Sequence, residues 1–158
     1  MKRIALRWLT VLALVTMLYC GAGAGDNPPI VLAQGPANLA LGKPAFASSI
    51  SGTNVAAKAT DGLFSTYWSS TNAEPAWIYI DLGTALTIKQ VVLIWESAYG
   101  RNYQIEGSTN AVAWTTLAEV VNGNGGSDYI EVEGAWRYVR VYGTRRGTGW
   151  GFGLLEFE

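Results

Sequence analysis

A chain of 158 residues with 11 Lys and Arg against 12 Asp and Glu has room for one domain and a core of ordinary size. It contains no His, which removes the commonest general base, the usual zinc ligand and every Ser-His or Cys-His arrangement. Setting aside residues 1–24 leaves 8 basic against 12 acidic side chains, a net charge of −4, which argues against nucleic acid and its demand for a basic footprint.

The chain opens with Lys2, Arg3 and Arg7, an apolar run from Leu9 to Tyr19, and the small residues Ala22-Gly23-Ala24. That order reads as a secretory signal of bacterial type, spanning 1–24 with an alternative cleavage after Ala33. The apolar run is shorter than the roughly 20 residues a membrane span needs. The single Cys, Cys20, follows a bulky Tyr19 where a lipidation signal wants a small residue, so secretion is expected rather than a lipid anchor. Cleavage then leaves a mature chain without disulfide or thiol chemistry.

Residues 25–37, punctuated by Gly, Pro and Asn, are expected to be a flexible leader. Beyond them come short β-type runs separated by turn signals. WIYIDL at 77–82 places Ile78, Ile80 and Leu82 on one face, and TIKQVVLIW at 87–95 is apolar enough to be buried on both sides. NYQIEGS, WTTLAEV at 114–120, DYIEV at 128–132, RYVRVYG at 137–143 and LLEFE at 154–158 follow, with NGNGG at 122–126 as a turn. No segment after the signal carries a sustained helical period. The pattern predicts an all-β fold, an antiparallel β-sandwich of the jelly-roll kind.

Two loops draw notice. ATDGLFSTYWSS at 59–70 combines an Asp-Gly turn with hydroxyl residues and the pair Tyr67-Trp68. On turn chemistry alone, Asp61 caps the turn and Glu156 is a solvated strand residue. GTGWGFG surrounds Trp150 with Gly and leaves it little side-chain cover, so the ring is either a ligand platform or a loop anchor. Trp77, Trp95, Trp114 and Trp136, in or beside strands, read as structural.

Five ordered motifs carry a resemblance. NLALGKPAFASS at 38–49, ATDGLFSTYWSS, WIYIDLG at 77–83, YQIEGSTNAVAW at 103–114 and RYVRVYGTRRGTGWGFGLLEFE together resemble the discoidin or coagulation factor V/VIII type C domain. Within it they are similar to carbohydrate-binding module family 32, which is galactose-binding-domain-like. The resemblance covers residues 38–158 and implies an eight-stranded jelly-roll sandwich that binds an extracellular polysaccharide or glycan and is not an enzyme. It implies a monomer, and an appended or associated glycoside hydrolase as partner. Trp68 falls on a framework position of the family.

The resemblance also implies a structural calcium ion. Its ligands would be the carbonyls of Lys58 and Leu63, the Asp61 carboxylate, both oxygens of Thr66, the Leu155 carbonyl and the Glu156 carboxylate. Oxygen donors in a tight turn suit this hard cation. For the glycan, the implied contacts are Trp150 and, less directly, Phe152 as apolar surface. Arg101 stands where galactose-binding relatives bond sugar hydroxyls, with Glu96, Tyr99 and Asn102 in its loop; as an isolated residue it reads equally as a solvated charge. Ser69 and Glu74 border the same face.

Departures bear on specificity. Galactose-binding members carry a His just after the framework Trp and a second Trp soon after, where this chain has Ser69 and Asn72. Chitosan-binding relatives place acidic residues in early loops, where Ile50 and Ser51 stand here and Glu74 is the nearby carboxylate. β-Glucan or another neutral polymer stays open beside them. A rival expectation is a surface adhesion or lipid-binding discoidin domain, resting on Arg145-Arg146 beside Trp150, but a domain of net charge −4 is a poor partner for an anionic membrane.

Overall fold

The computed structural model describes residues 37–158; the expected signal and most of the leader lie outside the described residues. Seven strands follow in chain order: β1 (Ala45–Ala47), β2 (Trp68–Ser69), β3 (Ala76–Trp95), β4 (Gly100–Ser108), β5 (Thr115–Val121), β6 (Ser127–Arg146) and β7 (Gly153–Phe157). A 3-10 turn, Ala56–Ala59, lies between β1 and β2. All pairings are antiparallel, in the order β2-β7-β3-β6-β4-β5, with β1 on β3.

The count is seven where eight were expected, because runs read as separate strands are continuous. WIYIDL and TIKQVVLIW both belong to β3, and DYIEV and RYVRVYG both belong to β6, each strand 20 residues long. Their shared ladder shifts register between Asp81 and Leu86 and again between Ile88 and Gln90. Such irregularities bend a strand and increase its local twist. The two strands fold over together: β1 and β4 pair with Ala76–Asp81 and the Tyr138–Arg146 side, while β7 pairs with the Leu93–Trp95 side. The result is an antiparallel β-sandwich.

The bend has its own chemistry. Gly83 takes φ +86° and Gly134 φ +133°, both costly for a side chain. The Gly83 amide donates to Asp81 Oδ1 at 2.8 Å, and Arg137 grips both Asp81 oxygens at 2.9 Å across β3 and β6. This bidentate pair holds the Asp81 carboxyl below its usual range.

Alternation explains what each layer buries. Ala76, Ile78, Ile80 and Leu82 face inward along the first half of β3 and meet Val91, Leu93 and Trp95 from the second half, with Ile105, Val139, Val141, Leu154 and Phe157. Trp68 is 1% exposed, and its Nε1 donates to the Ser49 carbonyl at 3.1 Å, so the framework reading of this Trp holds. Trp95 is also in the core, its Nε1 bonded to Asp128 Oδ2 at 2.8 Å.

The outer face of the β1-β3-β6-β4-β5 layer carries an aromatic ladder. Phe46 stacks on Tyr79 with centroids 5.1 Å apart, Trp77 on Tyr79 at 5.5 Å, and Arg140 lies 4.0 Å over the Trp114 ring. Phe46 and Tyr79 stack across β1 and β3, Trp77 and Tyr79 along β3, and rings so close and nearly parallel stabilise the sheet through their contact. On the β4–β6 ladder, Gly107 lies where any Cβ would overlap the Trp136 indole. Gly107→Ala is expected to lower stability by about 1–3 kcal/mol, measured by urea unfolding; an unchanged midpoint would show that the indole moves aside freely.

Candidate functional site

Folding β3 and β6 over at one edge of the sandwich brings all four of their ends to the other. Trp95 donates to the Gly126 carbonyl at 2.8 Å, Arg146 pairs in register with Gly100, and Tyr99 packs against both Gly125 and Gly147. The loops 96–99, 122–126 and 147–152 therefore meet at this edge, joined by the 70–75 segment through Glu74 and Arg146. Loops held by a rigid sheet are where binding groups are usually placed.

Trp150 is 72% exposed, but the backbone beneath it is fixed. Its carbonyl and that of Gly149 accept from Arg146 Nη1 at 3.2 and 3.3 Å, and its amide donates to Thr148 Oγ1 at 3.2 Å. On the other side, a Cβ at Gly151 would strike the Ser70 carbonyl, and the Phe152 amide donates to Ser70 Oγ at 2.8 Å. A bare indole on an anchored loop presents apolar surface with little ordering left to do on binding.

Arg101 is half-buried. Its Nε is shut away from solvent with no hydrogen-bond partner, and its Nη2 reaches Asn122 Oδ1 only at 3.4 Å. An orphaned guanidinium donor at a loop edge is unusual, because buried polar groups normally find partners.

The other expected contacts are occupied in building the edge. Glu74 accepts from the Arg146 amide at 2.6 Å and from Arg146 Nε at 3.1 Å, so it positions the guanidinium that holds the Trp150 loop. The Arg146 amide is the main cause that keeps the Glu74 carboxyl below its usual range. Glu96 accepts from Ser97 Oγ at 2.6 Å and the Ala98 amide at 3.0 Å, closing its own turn. Tyr99 wedges between Gly125 and Gly147, where no Cβ would fit easily. Asn102 Oδ1 accepts the Asn122 amide at 3.1 Å, and Ser69 Oγ turns back to the Ser70 carbonyl at 3.3 Å.

Phe152 is corrected. It is 1% exposed and packs over Gly143, whose missing Cβ makes its room, so it belongs to the core and offers no ligand surface. Phe152, just before β7, shares its inward parity with Leu154, and Phe157 turns inward because the bulge at Leu155 resets the alternation. Arg146 was the residue sequence reasoning missed at this edge. Its signal was the Arg145-Arg146 pair just before the Gly-rich loop, which had been attached to a membrane reading instead.

The Asp-Gly turn forms a second cluster. Gly62 takes φ +77°, Asp61 Oδ1 accepts the Leu63 amide at 2.9 Å, and Thr66 Oγ1 donates to Asp61 Oδ2 at 2.7 Å. Glu156 is not a solvated strand residue: it is fully buried, and neither carboxylate oxygen has a hydrogen-bond partner. Burial chiefly, and then the Asp61 charge nearby, push its carboxyl above the usual range, with the Gly62 and Leu63 amides offsetting this in part. In the β3–β7 ladder Ile94 faces Glu156 and Trp95 faces Leu154, so Leu155 is a bulge residue with no partner opposite. Among the described residues no three His, Cys, Asp or Glu side chains gather as a metal site; this cluster offers two carboxylates and otherwise neutral oxygens. Two carboxylates, one buried and unpartnered, beside a hydroxyl and turn carbonyls fit a hard divalent cation.

A cavity of about 350 Å³ lies at the bend edge, lined by Leu39, Ala40, Leu82, Ile88, Val139 and Phe157 among others. It is apolar and holds none of the candidate residues.

An antiparallel sandwich that gathers its loops at one edge, with the strand order seen here, is of the galactose-binding-like fold. The chain belongs to the F5/8 type C domain family, whose model matches residues 44–157. Among solved structures it is similar to chitosan-binding module 1 of a chitosanase/glucanase from Paenibacillus sp. IK-5, at 43% identity over 78% of this chain and 98% of that one, with a TM-score of 0.75. Module 2 of the same enzyme, solved with chitotriose, is 41% identical over 77% and 98%, with a TM-score of 0.74. A family 32 module from Clostridium perfringens, solved with GalNAc-β-1,3-galactose, shares the fold at 17% identity over 73% and 93%, with a TM-score of 0.68. No curated protein compared matches the chain. The resemblance read from five ordered motifs is thus confirmed at the level of family and fold.

Proposed function

We propose that the chain is a non-catalytic carbohydrate-binding module, exported from the cell, that holds polysaccharide at its loop edge and is stabilised by one structural calcium ion. The observation that carries this reading is Trp150, a 72% exposed indole on a loop fixed from both sides, with the half-buried Arg101 guanidinium, held by one long hydrogen bond to Asn122, at the same edge. An indole face stacks on the C–H face of a pyranose, and a guanidinium donates to its hydroxyls. The similarity to two chitosan-binding modules at 41–43% identity supports a glycan as ligand. Since those modules derive from a chitosanase/glucanase, a glycoside hydrolase on the same chain or in association is the proposed partner.

Calcium sits in this proposal as a ligand of Asp61, Glu156, Thr66 and the carbonyls of Lys58, Leu63 and Leu155. Bound there it would supply the positive charge that the Asp61–Glu156 pair lacks. Affinity electrophoresis through gels cast with β-glucan, soluble chitosan, galactan and polyuronate tests the function. Retardation in at least one polysaccharide is expected, with no binding to anionic vesicles; unaltered migration in all four would overturn the proposal.

A further inference from the structure

The loop between β5 and β6 contains two Asn-Gly steps, Asn122-Gly123 and Asn124-Gly125. A glycine after an asparagine has no side chain to shield its own amide nitrogen, which leaves that nitrogen free to approach the preceding side-chain amide. The other asparagines among the described residues are each followed by a residue that carries a Cβ. Both steps sit on an exposed loop at the edge where Trp150 stands, and the fold treats them differently.

The first step is held. The Gly123 amide donates to the Arg101 carbonyl at 2.8 Å, the Asn122 amide donates to Asn102 Oδ1 at 3.1 Å, and Asn122 Oδ1 accepts from Arg101 Nη2 at 3.4 Å. On the far side of the loop, the Gly126 carbonyl accepts the Trp95 amide at 2.8 Å. Between these two anchors Asn124 is exposed, and neither its side chain nor the Gly125 amide makes a hydrogen bond among the described residues. From this contrast we infer that Asn124 is a site of spontaneous deamidation and that Asn122 is protected by the fold.

The chemistry needs only water. The Gly125 nitrogen gives up its proton to solvent and attacks Asn124 Cγ; the new C–N bond closes a five-membered succinimide, and the Cγ–Nδ2 bond breaks to release ammonia. Water then opens the ring at either carbonyl, leaving an aspartate or, with the main chain rerouted through Cβ, an isoaspartate. Either product places a new carboxylate on the loop edge. The isoaspartate also lengthens the backbone just ahead of Gly125, where even a Cβ would stand 3.0 Å from the Tyr99 ring. Tyr99 packs against Gly147 as well, so the change reaches the junction of the 122–126 and 147–152 loops. At Asn122 the same attack must first free the Gly123 amide, which takes a local opening of the loop.

The test is incubation of the purified protein in warm neutral buffer, folded and in urea, followed by tryptic digestion. Fragment-ion mass spectrometry of residues 102–137, the peptide that carries both steps, then reads each asparagine separately. In the folded protein Asn124 is expected to convert about tenfold or more faster than Asn122, the margin set by the hydrogen bonds that Asn122-Gly123 must break. In urea the two rates should converge. Anion exchange should show a more acidic form growing in step with the Asn124 product, and Asn124→Gln should not form it, because the longer side chain closes a six-membered ring less readily. Asn124 is exposed, so this replacement leaves the fold intact. Equal conversion of both asparagines in the folded protein would overturn the inference, as would an Asn124 left intact while the urea sample reacts.

Discussion

Chelation is expected to lower the melting temperature of the protein by about 10 °C relative to a calcium concentration a hundredfold above Kd. A ligand that binds only the folded state at that excess stabilises it by about 2.7 kcal/mol, and a domain of this size shifts by a few degrees per kcal/mol. The physical source is Glu156, whose buried carboxylate has no hydrogen-bond partner and feels the Asp61 charge. An uncompensated buried charge is costly until an opposite charge reaches it. Glu156→Gln removes that charge, so it should abolish the calcium response while melting no lower than the wild type in chelator. Identical wild-type melts in calcium and chelator would remove the ion from the account. A Glu156→Gln protein that still gains stability from calcium would move the site elsewhere.

Trp150→Ala is expected to weaken glycan binding by about tenfold or more, with the melt unchanged. Covering a Trp face on a pyranose removes apolar surface from water, worth roughly 1.5–3 kcal/mol for a large side chain. The indole contributes little to folding because it is 72% exposed, and exposed substitutions usually change stability by less than about 0.5 kcal/mol. Equal affinities for wild type and Trp150→Ala would assign the ring to a role outside the binding surface.

Much of the sandwich was legible because alternation of apolar residues reports which face of a strand is covered. Ile78, Ile80 and Leu82 are inward as their spacing requires. The strand count was not legible: nothing local in Gly83-Thr84-Ala85 says that the backbone keeps its ladder through a bend, since continuity depends on Arg137 gripping Asp81 from β6. Phe152 was misplaced for a related reason. Two residues from Trp150 and equally ringed by Gly, it differs only in what lies beneath, and the space left by Gly143 is a tertiary fact.

The candidate site divides in the same way. Exposure of Trp150 could be read from its Gly neighbours, which lack side chains to cover it. The engagement of Glu74 by Arg146 could not, because those residues are 72 positions apart and meet only once β3 and β6 have folded over. Glu156 shows the limit most plainly: two residues from the inward Leu154 it has the spacing of a core residue, yet the bulge at Leu155 sets it opposite Ile94 instead of in the Trp95–Leu93 row, and its carboxylate is buried there with the Asp61 charge nearby.

The central claim is that glycan meets the loop edge at Trp150. The tryptophan side chains supply natural reporters, because Trp68 and Trp95 have buried indole donors bonded to Ser49 and Asp128, while Trp77, Trp114 and Trp136 are half-buried in strands or beside them. Titrating the ¹⁵N-labelled protein with a polysaccharide fragment that it retains in affinity gels, and following the indole N–H resonances, reads the site directly. The account predicts a saturable shift of the Trp150 resonance, accompanied by backbone amides of residues 99–102 and 147–151. Shifts centred on Trp77 and Trp114, with Trp150 unmoved, would contradict it and place the ligand on the aromatic sheet face.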